Sequence, residues 1–319
     1  PPPPPPPPPP HPPPPPPTPT PDYIRRQRQM CIRDRDEMAI KVKNIASLLK
    51  SFPSMPGAAI KLLALIDDPD MSVSQIEDIL RHDAGLTANL LKLANSAYFG
   101  IPSKVGSVRQ AVLILGLKRL IQMVIASCVG AIMDKPVPGY DLPPGELWRH
   151  AIAVSVAAEG LVNELQLGAS EDIFTAALLH DVGKLVLGSC VKDEFKEIQA
   201  ALDQDVSFET AETMVLGANH ADIGAQILTQ WSLPSDIISA VRWHHRPESA
   251  DTADTMLDVV HVANVLCLMI GIGAGCNGLH HEPSKVVTDR LGLESHHLEK
   301  VASQTLHWTT ELSDVFGTG

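Results

Sequence analysis

The sequence predicts an all-α protein, an N-terminal helical bundle followed by a second helical subdomain, on three observations. From Lys41 onward apolar residues recur mostly at helical spacing, and two-residue alternation is nowhere sustained. Glycine and proline breakers divide that pattern into short amphipathic runs. With 319 residues, 44% of them hydrophobic and 19% charged, the chain can bury the core of one large or two modest domains without disulfide staples.

Residues 1–37 stand apart from this pattern. Of the 29 prolines, 18 fall in the first 21 residues, a near-homopolymer that cannot hold hydrogen-bonded structure, and five arginines follow in 22–35. The stretch has neither the apolar core and small-residue cleavage site of a signal peptide nor the length of a membrane span. It reads as a disordered, non-native leader fused ahead of an authentic start at Met38, with a native proline-rich arm as the alternative.

Residues 38–134 form the first subdomain. After the Pro53-Ser54-Met55-Pro56 entry, Ile60, Leu63, Ala64 and Ile66 mark one helix face. Ile76, Ile79 and Leu80 mark a second, with Ser72 and Gln75 spaced as a capping box. Leu86, Leu90, Leu91 and Leu93 mark a third, and breakers at 67–70, 100–102 and Gly116 separate about five helices ending near Met133. Pro136, Pro138, Gly139, Pro143 and Pro144 make 135–144 a linker. The second subdomain, 145–272, is predicted as helices over 147–164, 171–187, 195–202, 208–216, 220–231, 235–245 and 254–272, and an extension over 273–319 ends in an amphipathic helix from Leu298 to Val315.

Charge and cysteine usage narrow the function. The chain carries 25 basic against 37 acidic residues, a net charge of -12, and the acidity persists without the leader. Such a chain repels a phosphate backbone, which argues against nucleic acid. Lys104, Arg109, Lys118 and Arg119 could form a small basic face, but scattered solvated cations are the simpler account. Cys128, Cys190, Cys267 and Cys276 are widely spaced and form no CxxC pair, as expected of buried thiols in a reducing cytoplasm with no membrane association.

The chemistry concentrates in the second subdomain: His150, the adjacent His180 and Asp181, His220, and the adjacent His244 and His245. Neighbouring side chains diverge by about 100° on a helix, so His180 and Asp181 share one ion only if it lies close to the backbone, which Gly183 would permit. Imidazole and carboxylate together suit Fe, Mn, Zn or Co, and with open positions they activate water for phosphoester hydrolysis. Singly, such histidines are ordinary core or surface residues, and His244 with His245 could merely complement a helix C-terminus. Their number is harder to explain that way. The doublet His82-Asp83, with no other histidine nearby in sequence, reads as exposed or capping. Asn95 to Gly100 reads as a turn shaped by Asn95 and anchored in the core by Tyr98 and Phe99.

These residues carry a resemblance to the HDOD family, the HD-related output domains of bacterial signalling proteins. It rests on Phe52-Pro53-Ser54-Met55-Pro56, Asp83-Ala84-Gly85-Leu86-Thr87, Asn95-Ser96-Ala97-Tyr98-Phe99-Gly100, Leu178-Leu179-His180-Asp181-Val182-Gly183-Lys184, His220-Ala221-Asp222 and His244-His245, within roughly 45–266. It implies that 145–272 is a degenerate HD-like subdomain, with His150, His180 and Asp181 as metal ligands and His220, His244 and His245 where relatives hold a second metal. Lys184 would contact a phosphate if the protein were active. Asn264 replaces the expected terminal Asp, removing one negative charge and weakening binding of a hard dication. The resemblance thus implies a cytoplasmic regulatory protein acting on signalling partners, with a divalent metal pocket and a nucleotide as candidate ligand. A metal-dependent phosphohydrolase of a nucleotide or cyclic dinucleotide is the alternative.

Overall fold

The computed structural model describes residues 38–63, 72–81, 83–168, 172–275 and 282–316, and the side chains through 312. The leader (1–37), His82, Ala64, Ile66 and Cys276 lie outside the described residues. By contacts the chain divides into a unit 1–40, of which 38–40 are described and helical, and a compact unit 41–319.

Among the described residues there is no strand, and helices account for the fold. The first half holds α1 (helical through 41–51), α2 (Gly57–Leu63), α3 (Val73–Arg81), α4 (Ala84–Ala94), α5 (Val108–Leu115) and α6 (Leu117–Met133). The expected capping box is present at α3: the Ser72 amide donates to Gln75 Oε1 at 2.7 Å, and the Gln75 amide to Ser72 Oγ at 3.4 Å. Asp83 caps α4, accepting from the Leu86 amide at 2.9 Å. Asn95 clamps the chain after α4, donating to the Leu91 and Val105 carbonyls and accepting from the Val105 amide.

The second half holds α7 (Glu146–Glu164), α8 (Ile173–Leu179), α9 (Lys184–Asp193), α10 (Phe195–Leu202), α11 (Phe208–Leu216), α12 (His220–Gln230), α13 (Ser235–Trp243), α14 (Thr255–Met269), α15 (Lys285–Leu291) and α16 (Ser295–Phe316). α7 is the spine, packed against α8, α14 and α16. α14 is buried on every side from Met256 to Leu268, as a central core helix must be. α16 lies along α7, and Gly160 admits Val301 at a separation a Cβ would reduce to 3.1 Å.

One expectation needs correction. The helix predicted over 171–187 is two, α8 and α9, broken by the turn His180–Gly183. Its apolar run continues through the break because both sides are core, so periodicity alone could not reveal it. Of the four cations weighed as a basic face, Arg109 pairs with Glu77 at 2.8 Å, and Arg119 pairs with Glu159 beside the Tyr98 hydroxyl. In 135–144, a single bridge joins Val137 and Leu142, Pro138–Tyr140 form a 3-10 turn, and Tyr140 is buried. The apolar stretch Ile173–Asp193 is long enough by length and composition to cross a bilayer but is 83% buried within the protein.

Candidate metal centre

Asp181, in the turn between α8 and α9, is buried and surrounded by imidazoles from four helices. Its Oδ2 lies 3.5 Å from His150 Nε2 and 3.3 Å from His180 Nε2. Its Oδ1 lies 3.4 Å from His220 Nε2 and 3.8 Å from His244 Nε2. His245 Nε2 is 2.8 Å from His220 Nε2 and belongs to the second group. Asn264 reaches the first group, with Oδ1 3.1 Å from His150 Nε2. The structure thus gathers His150, His180, Asp181, His220, His244, His245 and Asn264 in one place.

Local structure aims each ring. His180 and His244 cap the C-termini of α8 and α13, where their Nδ1 atoms donate to the carbonyls of Ala177 and Val241, each at 2.7 Å. His150, on α7, donates from Nδ1 to the Ile272 carbonyl at 2.9 Å. Gly273, at φ +73°, lets that chain close over the ring, since a Cβ there would overlap His150. His220 opens α12, and its Nδ1 and backbone amide both donate to the Glu212 carboxylate, at 2.8 and 2.9 Å. Acceptors at four Nδ1 atoms fix the tautomer and leave the four Nε2 lone pairs facing Asp181.

This arrangement has more acceptors than donors. His180 Nε2, His244 Nε2 and Asp181 Oδ1 are buried with no hydrogen-bond partner, and each such atom costs about 1–3 kcal/mol unless something electropositive meets it. Ligands of one ion bonded at about 2.0–2.2 Å lie about 3.0–3.5 Å apart, close to most of the separations around Asp181. The residues therefore fit divalent metal, with Asp181 common to two sets: His150 and His180 at one oxygen, His220, His244 and His245 at the other.

Burial and charge act in opposite directions here. Burial pushes the His150 imidazole down to about 3 and holds His244 and His245 well below the usual range. Burial alone would raise the Asp181 carboxyl, but the adjoining His180 ring and the Lys184 ammonium outweigh it and keep it well below the usual carboxylate range. The Lys184 ammonium, itself buried, sits 2.6 Å from Asp181 Oδ2 and 5.4 Å over the Tyr140 ring.

Gly183 differs from expectation in what it admits. A Cβ there would strike the His220 carbonyl and the Gly224 amide, so its small size brings the α12 backbone against the turn, and His220 with it. His261, beside Asn264 in sequence, faces elsewhere: Nδ1 donates to the His244 carbonyl at 2.7 Å, and Nε2 accepts from the Ser284 amide. Sequence reasoning missed Glu212 and Tyr140. Tyr140 donates its hydroxyl to Glu212 Oε1 at 2.5 Å, completing a Tyr140–Glu212–His220 chain. The one signal for Glu212 was a carboxylate three residues from Glu209 on an apolar helix.

A profile of the HDOD domain matches residues 52–247. An uncharacterised curated relative from Treponema pallidum (strain Nichols) is 27% identical over 227 residues, which are 70% of this chain and 43% of the relative. The chain thus spans under half the length of that relative. An HDOD domain protein of unknown function from Geobacter sulfurreducens superposes with a TM-score of 0.61 at 25% identity, over 83% of this chain and 90% of its own. A candidate signal transduction protein from Marinobacter aquaeolei VT8 gives 0.67 at 20% identity, over 88% and 66%. A candidate metal-dependent phosphohydrolase from Shewanella amazonensis SB2B gives 0.61 at 17% identity, over 88% and 99%. The last two likenesses establish a shared fold.

Proposed function

The chain belongs to the HDOD family, and from that premise we propose that it is a regulatory protein whose buried metal pocket is structural or ligand-sensing and does not turn over substrate. The observation that carries this reading is the burial of the donors. His150, His180, Asp181, His220 and His244 are each at most 1% exposed, and of the gathered imidazoles His245 alone is half-buried. Structural metal sites are closed by their ligands, whereas hydrolytic sites keep a position open for water and substrate. Asn264 supports the same reading, since a neutral amide stands beside His150 where a second carboxylate would add negative charge.

Bound metal would supply Lewis acidity and a positive charge where the imidazole lone pairs and Asp181 converge. The chain's residues do the rest: the carbonyls of Ala177, Val241 and Ile272 orient three rings, and Glu212 orients the fourth. Signalling then passes through contacts of the helical surface with a partner protein. Metal analysis of the purified chain, combined with a phosphodiesterase screen, tests this. Bound metal without turnover is expected, and metal-dependent hydrolysis lost in His180→Ala would overturn it.

A second reading, a metal-dependent phosphohydrolase of a nucleotide or cyclic dinucleotide, is favoured by Lys184. Its ammonium sits within the centre, where it could meet a phosphate if Asp181 released it. The Asn264→Asp variant discriminates. Higher metal occupancy without activity supports the regulatory reading, and strong activity in the unmodified chain supports the enzyme.

A further inference from the structure

A groove of about 460 Å³ runs along α9, away from the buried imidazoles. Leu48 and Phe52 line it from the end of α1, Pro136 and Val137 from the segment after α6, and Leu185 and Val186 from α9. Its other lining residues include Lys135 and Lys192, both exposed, neither with an ion-pair or hydrogen-bond partner among the described residues. No acidic residue lines it, although the chain as a whole carries a net charge of -12. An apolar trough of this volume with a few convergent polar groups has the build of a small-molecule site. The two cations specify the sign of the ligand's polar end.

We propose that this groove binds an amphipathic carboxylate, its apolar body against α9 and 136–138 and its acid group at Lys135 and Lys192, and that occupancy is transmitted to the metal centre. The binding half stands apart from the regulatory reading above, and the transmission half rests on it. Transmission follows from the packing of 135–142. A Cβ on Gly188 of α9 would lie 2.5 Å from Val137 Cγ1, and one on Gly139 would lie 2.8 Å from the Lys192 amide, so this segment and α9 are in backbone contact along the groove. The next residue, Tyr140, stacks over Lys184 and bonds Glu212, which holds His220. A ligand that shifts 136–138 against α9 therefore bears on both Lys184 and His220.

Calorimetric titration of the full chain with decanoate tests the binding, with 1-decanol and adenosine monophosphate as comparison probes. Decanoate is expected to bind at a single site, with decanol weaker by about tenfold or more. Ser189→Trp, which fills the groove from an exposed position, and the double variant Lys135→Glu with Lys192→Glu should each cut decanoate affinity about tenfold while leaving the thermal melt unchanged. Equal binding of decanol, tighter binding of adenosine monophosphate, or indifference to Ser189→Trp would overturn the site. For the transmission, cobalt(II) affinity read by visible absorption should change about fivefold when decanoate is present, and should not change in Ser189→Trp. No change in the unmodified chain overturns the transmission alone. A chain that takes up no cobalt overturns the regulatory reading and leaves the binding result intact.

Discussion

Glu212 shows how much of the centre depends on residues that never face Asp181. It is fully buried, and its carboxylate accepts from the His220 ring, the His220 amide and the Tyr140 hydroxyl. Glu212→Gln keeps the shape and removes the anionic acceptor. We expect about a 10- to 100-fold loss of metal affinity, measured by competition with a chromophoric chelator, with the circular dichroism spectrum retained. Acid sensitivity is a second consequence at this scale. Burial holds His150 neutral down to about pH 3 in the folded, metal-free protein, whereas an unfolded histidine protonates near 6.5. Between these values the unfolded chain binds the extra proton, so the stability contribution is complete above about pH 6.5 and is lost as pH falls toward 3. His150 alone should remove on the order of 1 kcal/mol per pH unit in that window. Chelator-treated protein melted at a series of pH values should show a steady fall below 6.5, and a flat profile from 7 to 5 would contradict the burial. The histidines and Asp181 were legible in the sequence because few other side chains cluster this way. Glu212 was not, since a glutamate on an amphipathic helix has the pattern of a solvated face until tertiary packing buries it.

At the scale of elements, the break between α8 and α9 places the His180–Asp181 pair, and Gly183 is what lets α12 approach it. A methyl group there would meet the backbones of His220 and Gly224. Gly183→Ala should destabilise the protein by about 1–3 kcal/mol in urea unfolding, with metal binding weakened at the His220 side. Gly57, with nothing within 4 Å of its added Cβ and already at the start of α2, provides the control. Gly57→Ala should be neutral or slightly stabilising. Helices bounded by caps and breakers, such as α3 with Ser72 and Gln75, were readable from local residues alone. The α8–α9 break was not, because Leu179 and Leu187 continue the apolar run on both sides of it and both are buried.

At the scale of the whole molecule, α16 joins what the sequence divides. It packs on α7 and also on α4, and its Trp308 ring meets Tyr98 edge-on at 5.6 Å. Tyr98 and Arg119 share Glu159 of α7, so residues on both sides of 135–144 meet in one half-buried polar cluster. The residues 41–319 should therefore unfold in one cooperative step, with fluorescence and circular dichroism transitions coincident. Two resolved transitions would instead make the 135–144 segment a functional boundary. The all-helical class was evident from periodicity, but these long-range ties were not, since each joins residues at least 40 positions apart.

The metal-to-protein ratio of the purified chain, compared with that of Asp181→Asn, reaches the centre of this account. The substitution keeps size and shape while removing the carboxylate common to both groups of imidazoles. Near-stoichiometric metal in the unmodified chain and near-complete loss in the folded variant is the expected result. A folded, metal-free unmodified chain, or equal metal in both, would contradict it.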